Sequence, residues 1–257
     1  MAPAEQLVSL VAPSSIEADQ YRGLRHNVER MRREAGVQLL AVTSAGAGEG
    51  KSVTTLNLAG SLAQSRETRV LVIDADLHRP SVAEYLGIEP PQAPGLADLI
   101  RDQDVSLATA VRRLDGPNLS VLPSGTCETG AYELLNSPRL EGVLLDARRS
   151  FDFVLIDTPP VLPLPDCRLI SQWVDGLMVV VSAHRTPRRA LAEALTLLDP
   201  AKVIGLVFNG DDRPLTGYSS YNRHYYSSPP SGPREGRSWR RPGRPAAGDH
   251  RARIARR

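Results

Sequence analysis

The stretch SAGAGEGKS, Ser44–Ser52, joins two segments of different periodicity. An apolar run, Val37–Val42, precedes it and favours a buried strand. Small and apolar residues recur every three or four positions after it, which favours a helix. Strand, glycine-rich loop and helix form the context in which Gly-Lys-Ser predicts a phosphate-binding loop. A glycine-rich turn without a ligand is the alternative, and the flanking strand and helix count against it.

The chemistry of this stretch suits a polyphosphate. Glycines let backbone N–H groups turn inward around phosphate, and the helix that follows adds a partial positive charge. Lys51 is placed to reach the β- and γ-phosphates, and the Ser52 hydroxyl to bind Mg²⁺. Ala45 stands where the usual pattern has its first glycine. The residues predicted to contact ATP here are Gly46, Ala47, Gly48, Glu49, Gly50, Lys51, Ser52 and Val53.

Two further apolar runs end in carboxylates. The first, Val70–Pro80, reads VLVIDADLHRP and places Asp74 and Asp76 at its end, and the second, Phe151–Pro160, reads FDFVLIDTPP and ends at Asp157. Ligands of open α/β sheets bind at the carboxyl ends of the strands, so these acids are expected beside the phosphate loop. Acidic residues that only start the next loop are the alternative. His78 is expected to be a loop residue and not a ligand.

The other segments complete an alternating pattern of strands and helices. It predicts an α/β domain with a mostly parallel, doubly wound sheet of the phosphate-loop NTPase type. Asn209, after the last strand, is interpreted as a contact to the nucleotide base or as a turn residue. Predicted helices are 17–34, 96–100, 132–135, 137–149 and 186–198, and predicted strands are 119–122, 176–182 and 203–208.

Three regions are expected along the 257 residues: a flexible leader at 1–16, the domain at 17–212 and a disordered tail at 213–257. The tail carries eleven arginines and only two acidic residues. Four of the seven tyrosines of the chain lie in it and are candidate phosphorylation sites: Tyr218, Tyr221, Tyr225 and Tyr226. A tail that adheres to nucleic acid or to an anionic membrane surface is the alternative, and no specific nucleic acid is predicted.

Composition points to the cytoplasm. The two cysteines cannot form a disulfide framework, which favours a reducing compartment. No apolar stretch approaches the ~20 residues of a membrane-spanning helix. The first residues lack the basic and apolar pattern of a signal peptide.

The charged helix at 17–34 has two interpretations. Asp19, Arg22 and Arg25 recur at a spacing of three and share one face. A solvated face with local ion pairs is favoured by physics alone, since such pairs contribute little. A contact to a neighbouring subunit is the functional interpretation.

The chain resembles the bacterial tyrosine kinases that control capsule and exopolysaccharide synthesis, over residues 14–209 and the tyrosine-rich tail. Gly48–Ser52 looks like their Walker A loop, Asp74–Asp76 like their Walker A′ motif, and Ile156–Pro160 like their Walker B motif. The segment Ala18–Val28 resembles the helix motif through which they form rings.

The resemblance implies an ATP- and Mg²⁺-dependent tyrosine autokinase that phosphorylates the tail of a neighbouring subunit. Lys51, Asp74 and Asp76 are then the catalytic residues, with Asp74 as the base, and Ser52, Asp76 and Asp157 hold the metal. Asp19, Arg22 and Arg25 become oligomer contacts. The implied partner is a transmembrane activator of the polysaccharide co-polymerase type, which recruits this cytoplasmic protein to the inner face of the membrane.

The sequence departs from the family at three places, and two other functions remain open. Asp19 replaces a Glu, His78 replaces an Arg, and Gly130-Ala131 replaces Asn-Pro. A partition- or septum-type ATPase switch is the first alternative, but its signature lysine would stand at Gly46. A weakly catalytic, ATP-binding regulator of polysaccharide export is the second.

Overall fold

The computed structural model describes residues 2–88, 94–127 and 130–210. The predicted phosphorylation sites and the arginine-rich end lie outside these residues. The strands within them are β1 (Leu39–Ser44), β2 (Val70–Asp74), β3 (Arg112–Arg113), β4 (Leu119–Leu122), β5 (Phe153–Asp157), β6 (Gly176–Ser182) and β7 (Val203–Asn209). The helices are α1 (Val8–Val11), α2 (Ile16–Ala35), α3 (Lys51–Leu62), α4 (Val82–Tyr85), α5 (Leu96–Arg101), α6 (Leu107–Ala110), α7 (Ala131–Leu135), α8 (Pro138–Ser150), α9 (Asp166–Ser171) and α10 (Arg188–Thr196).

The seven strands form one sheet in the order β3-β4-β2-β5-β1-β6-β7. All pairs are parallel except β3 with β4, which confirms the mostly parallel sheet. The register sets Asp74 opposite Asp157 on adjacent strands. Because parallel strands end at a common edge, the two predicted acidic strands deliver their carboxylates to one place beside the loop that follows β1.

Helices cover both faces of the sheet, as a doubly wound fold requires. In β1, Leu39 and Ala41 pack into the core under α5, α8 and α9, whereas Leu40 and Val42 pack into the core under α2 and α3. This alternation follows from the two-residue period of a strand. Every residue of β1, β2, β5 and β6 is buried, which explains why these segments read as continuous apolar runs.

The elements that the sequence missed are all short: β3, α1, α4, α6 and the six-residue α9. The long helix α2 agrees with the predicted 17–34 to within a residue at each end, and Ser15 caps it by accepting a hydrogen bond from the backbone N–H of Ala18. Strand β3 has two residues, and α1, α4 and α6 have four each, too few for a periodic signal. No helix of the described segments has both the length and the apolar character needed to cross a bilayer.

The leader differs from the flexible segment that was expected. Leu7 is fully buried in the core under α2 and α3. The side-chain oxygen of Asn57 in α3 accepts a hydrogen bond from the backbone N–H of Ser9, and its amide nitrogen donates to the carbonyl of Gln6. The Leu10 side chain lies so close to Gly60 that a Cβ there would be 2.8 Å from its Cδ2. The helix in this segment, α1, is too short to show a helical period in the sequence, so the sequence did not predict the packing.

Replacing Leu7 with alanine is expected to lower the free energy of unfolding by about 2–4 kcal/mol, because it leaves a cavity in the core. The matched control is Val11→Ala, since Val11 is 46 % exposed and its truncation should cost less than about 0.5 kcal/mol. Urea denaturation of both variants measures the difference. Equally small losses in the free energy of unfolding of the two variants would show that the leader does not belong to the folded domain.

Candidate functional site

The loop between β1 and α3 is built on two glycines with positive φ. Gly48 has φ 74° and Gly50 has φ 90°, a region that other residues rarely adopt. Gly50 also caps α3, whose first residue is Lys51. Ala45 has no positive φ, and its methyl group is buried in the core under α5, α8 and α9. The alanine at the usual first-glycine position is therefore compatible with the loop.

Three polar side chains brace this loop. The Glu49 carboxylate accepts a hydrogen bond from the backbone N–H of Ala45 at 3.2 Å. The Ser44 hydroxyl donates to the Gly46 carbonyl at 2.7 Å. The Asn209 side-chain amide donates to the Glu49 carbonyl at 3.1 Å. Glu49 and Asn209 thus help to hold the loop shape, while Ala47 and Gly48 are exposed at its rim.

Asn209 lies against the loop more closely than the sequence suggested. A Cβ at position 50 would be only 2.0 Å from its side-chain nitrogen. Asn209 is the last residue of β7, so the edge strand itself contacts the phosphate loop. Its contact to a nucleotide base stays a prediction, and the structure adds this bracing role.

Lys51 faces the predicted acidic residues. Its ammonium lies 2.9 Å from the Asp76 carboxylate, and both side chains are nearly buried. Burial lowers the pKa of Lys51, but the negative charges of Asp157, Asp76 and Asp74 outweigh it, so the pKa is raised. Lys51 is therefore held in its charged form inside the site.

Asp74 is held by the loop that follows β2. One of its carboxylate oxygens accepts hydrogen bonds from the backbone N–H groups of Ser81 and Val82, each at 3.0 Å. The other accepts from the backbone N–H of Asp76 at 3.3 Å. Burial and the negative charge of Asp157 nevertheless raise the pKa of Asp74 to about 7. The carboxylate is thus able to exchange a proton near neutral pH.

Asp157 is the least satisfied polar group of the site. It is fully buried at the end of β5, and neither carboxylate oxygen has a hydrogen-bond partner among the described residues. Burial raises its pKa to about 6, although the charge of Lys51 and the nearby Ser52 hydroxyl act in the opposite direction. A buried carboxylate without a partner is unfavourable, so a cation bound beside Asp157 would stabilise it.

The start of α3 supplies the remaining predicted residues. The Ser52 hydroxyl is buried and accepts a hydrogen bond from the Ser81 hydroxyl at 3.0 Å. Val53 follows in the first turn of the helix and is half-buried. Sequence reasoning missed Ser81, because a serine after Arg-Pro carries no signal of its own. It becomes visible only once the loop after β2 folds back on α3.

His78 has a partner that the sequence did not reveal. Its Nε2 atom lies 2.9 Å from the carboxylate of Asp166, which is 1 % exposed at the first residue of α9. His78 does lie in a loop, as expected. The two residues are far apart in the sequence, so no local pattern could have paired them.

The predicted oligomer contacts lie on α2, which packs against α3. Arg22 forms an ion pair with Asp19 and donates to the Pro13 carbonyl. Arg25 pairs with Glu29 at 2.7 Å and donates to the carbonyl of Ser61 in α3 at 2.8 Å. These contacts fasten α2 to the leader and to α3 within one chain, and the role of the residues in an oligomer stays a prediction.

Comparison with known proteins places this geometry in a family. The sequence model of the family described as AAA domain matches residues 37–193. The tyrosine-protein kinase YwqD of Bacillus subtilis is 32 % identical over 224 residues, which are 86 % of this chain and 91 % of YwqD. The succinoglycan biosynthesis transport protein ExoP of Rhizobium meliloti is 30 % identical over 87 % of this chain, but the match spans only 30 % of ExoP.

Solved structures agree with the sequence relatives. The BceF tyrosine kinase domain is 30 % identical, with a TM-score of 0.70 over 82 % of this chain and 91 % of that one. A variant of Cyanothece McdA in complex with ATP is 29 % identical, with a TM-score of 0.52 over 66 % of this chain and 68 % of that one. By the sequence and the fold that it shares with these relatives, the chain belongs to the family of bacterial tyrosine-protein kinases, built on an AAA-type, phosphate-loop domain.

Proposed function

We propose that this chain is an ATP-dependent protein-tyrosine kinase that phosphorylates the tyrosine cluster of its own tail in trans and regulates capsule or exopolysaccharide synthesis. The observation that carries the proposal is the meeting of Lys51, Asp74, Asp76 and Asp157 beside the glycine loop. Family membership supports the reaction type. ExoP, a relative named for succinoglycan biosynthesis, supports the process.

The site fits ATP with Mg²⁺. The exposed rim at Ala47 and Gly48 leaves the loop open to a polyphosphate, and Lys51 would move from Asp76 to the phosphates. Ser52, Asp76 and Asp157 are the proposed Mg²⁺ ligands, directly or through water. Mg²⁺ in nucleotide sites is commonly held by one or two carboxylates together with phosphate oxygens and water. When bound, the ion would neutralise charge on the phosphates.

The transfer step assigns a role to each protein group. The tyrosine oxygen attacks the γ-phosphorus, the bond to the β-phosphate oxygen breaks, and ADP leaves. The phenolic proton goes to Asp74, whose pKa of about 7 lets its carboxylate accept a proton at neutral pH. Lys51 stabilises the charge that develops on the phosphates. A tyrosine with an ordinary pKa of about 10 needs such a base.

The proposal also includes the way in which the subunits assemble. Arg22, Arg25 and Asp19 would rearrange to contact a neighbouring subunit in a ring, so that one subunit offers its tail to the site of the next. A transmembrane activator of the co-polymerase type would recruit the cytoplasmic kinase to the inner face of the membrane. The McdA neighbour was solved with ATP, which supports nucleotide binding at this fold. An ATPase switch is the competing function, and the experiments below separate the two.

Lys51→Met is expected to reduce phosphotyrosine formation by at least a hundredfold, because it removes the charge that holds the phosphates. The assay incubates the purified chain with Mg-ATP, with and without the cytosolic segment of a candidate membrane activator. Arg149→Met is the control, since the Arg149 side chain is 76 % exposed and forms only a surface ion pair with Asp146. ATP hydrolysis without phosphotyrosine, even with a bound activator, would favour the ATPase switch.

Transfer between subunits is tested by mixing two variants. Lys51→Met supplies an intact tail without a working site, and a chain with Tyr218, Tyr221, Tyr225 and Tyr226 changed to Phe supplies a working site without the acceptors. Phosphotyrosine should appear on the Lys51→Met chain only in the mixture. Its absence there, with strong labelling of the unmodified chain, would indicate transfer within one subunit.

The raised pKa values of Asp74 and Asp157 make the stability of the nucleotide-free protein depend on pH. Both groups bind protons more tightly in the folded state than at their unfolded value of 3.8, so their contribution to stability is complete below about pH 4. This contribution to stability falls as the pH rises through the folded-state pKa values of about 6 for Asp157 and about 7 for Asp74. Removing the Asp157 charge should therefore stabilise the free protein at high pH.

Asp157→Asn is expected to be more stable than the unmodified chain at pH 8, by on the order of 2 kcal/mol, with a smaller difference at pH 5. The same variant should lose the thermal stabilisation that Mg-ATP gives the unmodified chain. Thermal unfolding with and without Mg-ATP measures both effects, and Asp146→Asn, at a 60 % exposed side chain, is the control. A stability difference that is the same at both pH values would refute the electrostatic explanation.

A further inference from the structure

The pair formed by His78 and Asp166 joins the two acid-bearing segments of the site. His78 lies two residues after Asp76, in the loop that follows β2. Asp166 begins α9, which follows the segment after Asp157 and β5. Because β2 and β5 are neighbours in the sheet, the contact between His78 and Asp166 forms a bridge between the segments that follow these two strands.

The segment that leads from β5 to Asp166 is hydrogen-bonded to β1. The backbone N–H of Thr158 donates to the Val42 carbonyl at 3.1 Å, and that of Val161 donates to the Ser44 carbonyl at 2.9 Å. These bonds fix the segment after β5 to β1, directly beside the phosphate loop. The Asp166 carboxylate is 1 % exposed, and a buried carboxylate favours a hydrogen-bond donor strongly.

The His78 end belongs to the loop that orients Asp76. Asp76 bonds Lys51 with one carboxylate oxygen and accepts the backbone N–H of Arg79 at 3.0 Å with the other. His78 stands between Asp76 and Arg79, so a displacement of His78 also displaces both ends of that contact. A shift of about 1 Å in a catalytic group can cost about a hundredfold in rate.

We propose that His78 is a positioning residue for phosphoryl transfer. Its Nε2–H donates to the carboxylate of Asp166 and holds the loop after β2 against α9, and this keeps Asp76 in place beside the phosphate loop. The inference rests on the proposed function only where tyrosine phosphorylation is measured. ATP hydrolysis and nucleotide affinity test the same loop and need no tyrosine acceptor.

Two amide substitutions separate the hydrogen bond from the presence of a polar side chain. In His78→Gln the amide nitrogen can occupy the place of Nε2 and donate to Asp166. In His78→Asn the amide nitrogen falls about one bond short. The His78 side chain is 39 % exposed, so both variants are expected to fold, and thermal unfolding of each checks this.

His78→Asn should lower kcat for tyrosine phosphorylation and for ATP hydrolysis by tenfold or more, while the dissociation constant for ADP changes less than threefold. His78→Gln should keep both rates within threefold of the unmodified chain. Equal loss in both variants, or no loss in His78→Asn, overturns the proposal. If no phosphotyrosine forms with any chain, the proposed kinase function fails, whereas the comparison of ATP hydrolysis rates still decides the role of His78.

Discussion

A single ammonium group faces three buried carboxylates at the edge of the sheet, and this imbalance of charge shapes the whole site. Lys51 pairs with Asp76, while Asp157 has no hydrogen-bond partner among the described residues. The fold tolerates the excess negative charge because backbone amides satisfy Asp74 and because burial favours its protonated form. The free site therefore favours a ligand that brings positive charge.

The position of these charges follows from the sheet. Strands β1, β2 and β5 are buried on both faces and end together, so the carboxylates and the glycine loop meet without a dedicated scaffold. Strands place Asp74 and Asp157, whereas Asp76 lies in the loop after β2.

The sequence predicted the parts of this arrangement that depend on local pattern. The run of apolar residues before Lys51, and those before Asp74 and Asp157, predicted three buried strands and their common edge, and the structure confirms them. Contacts between distant segments had no such signal. The bonds of Asn57 to the leader, of Asn209 to the phosphate loop and of His78 to Asp166 join residues 48 or more positions apart, and each depends on tertiary packing.

The close approach of Asn209 to Gly50 has a consequence for how the chain can change. A side chain at position 50 and an asparagine at position 209 would need the same space, because a Cβ at position 50 would be 2.0 Å from the Asn209 amide. The phosphate loop is thus complementary in shape to a residue on the opposite flank of the sequence. Gly50 also has φ 90°, so a smaller residue at position 209 would not by itself make room for a side chain at position 50. Backbone conformation and the space taken by Asn209 therefore both restrict position 50 to glycine.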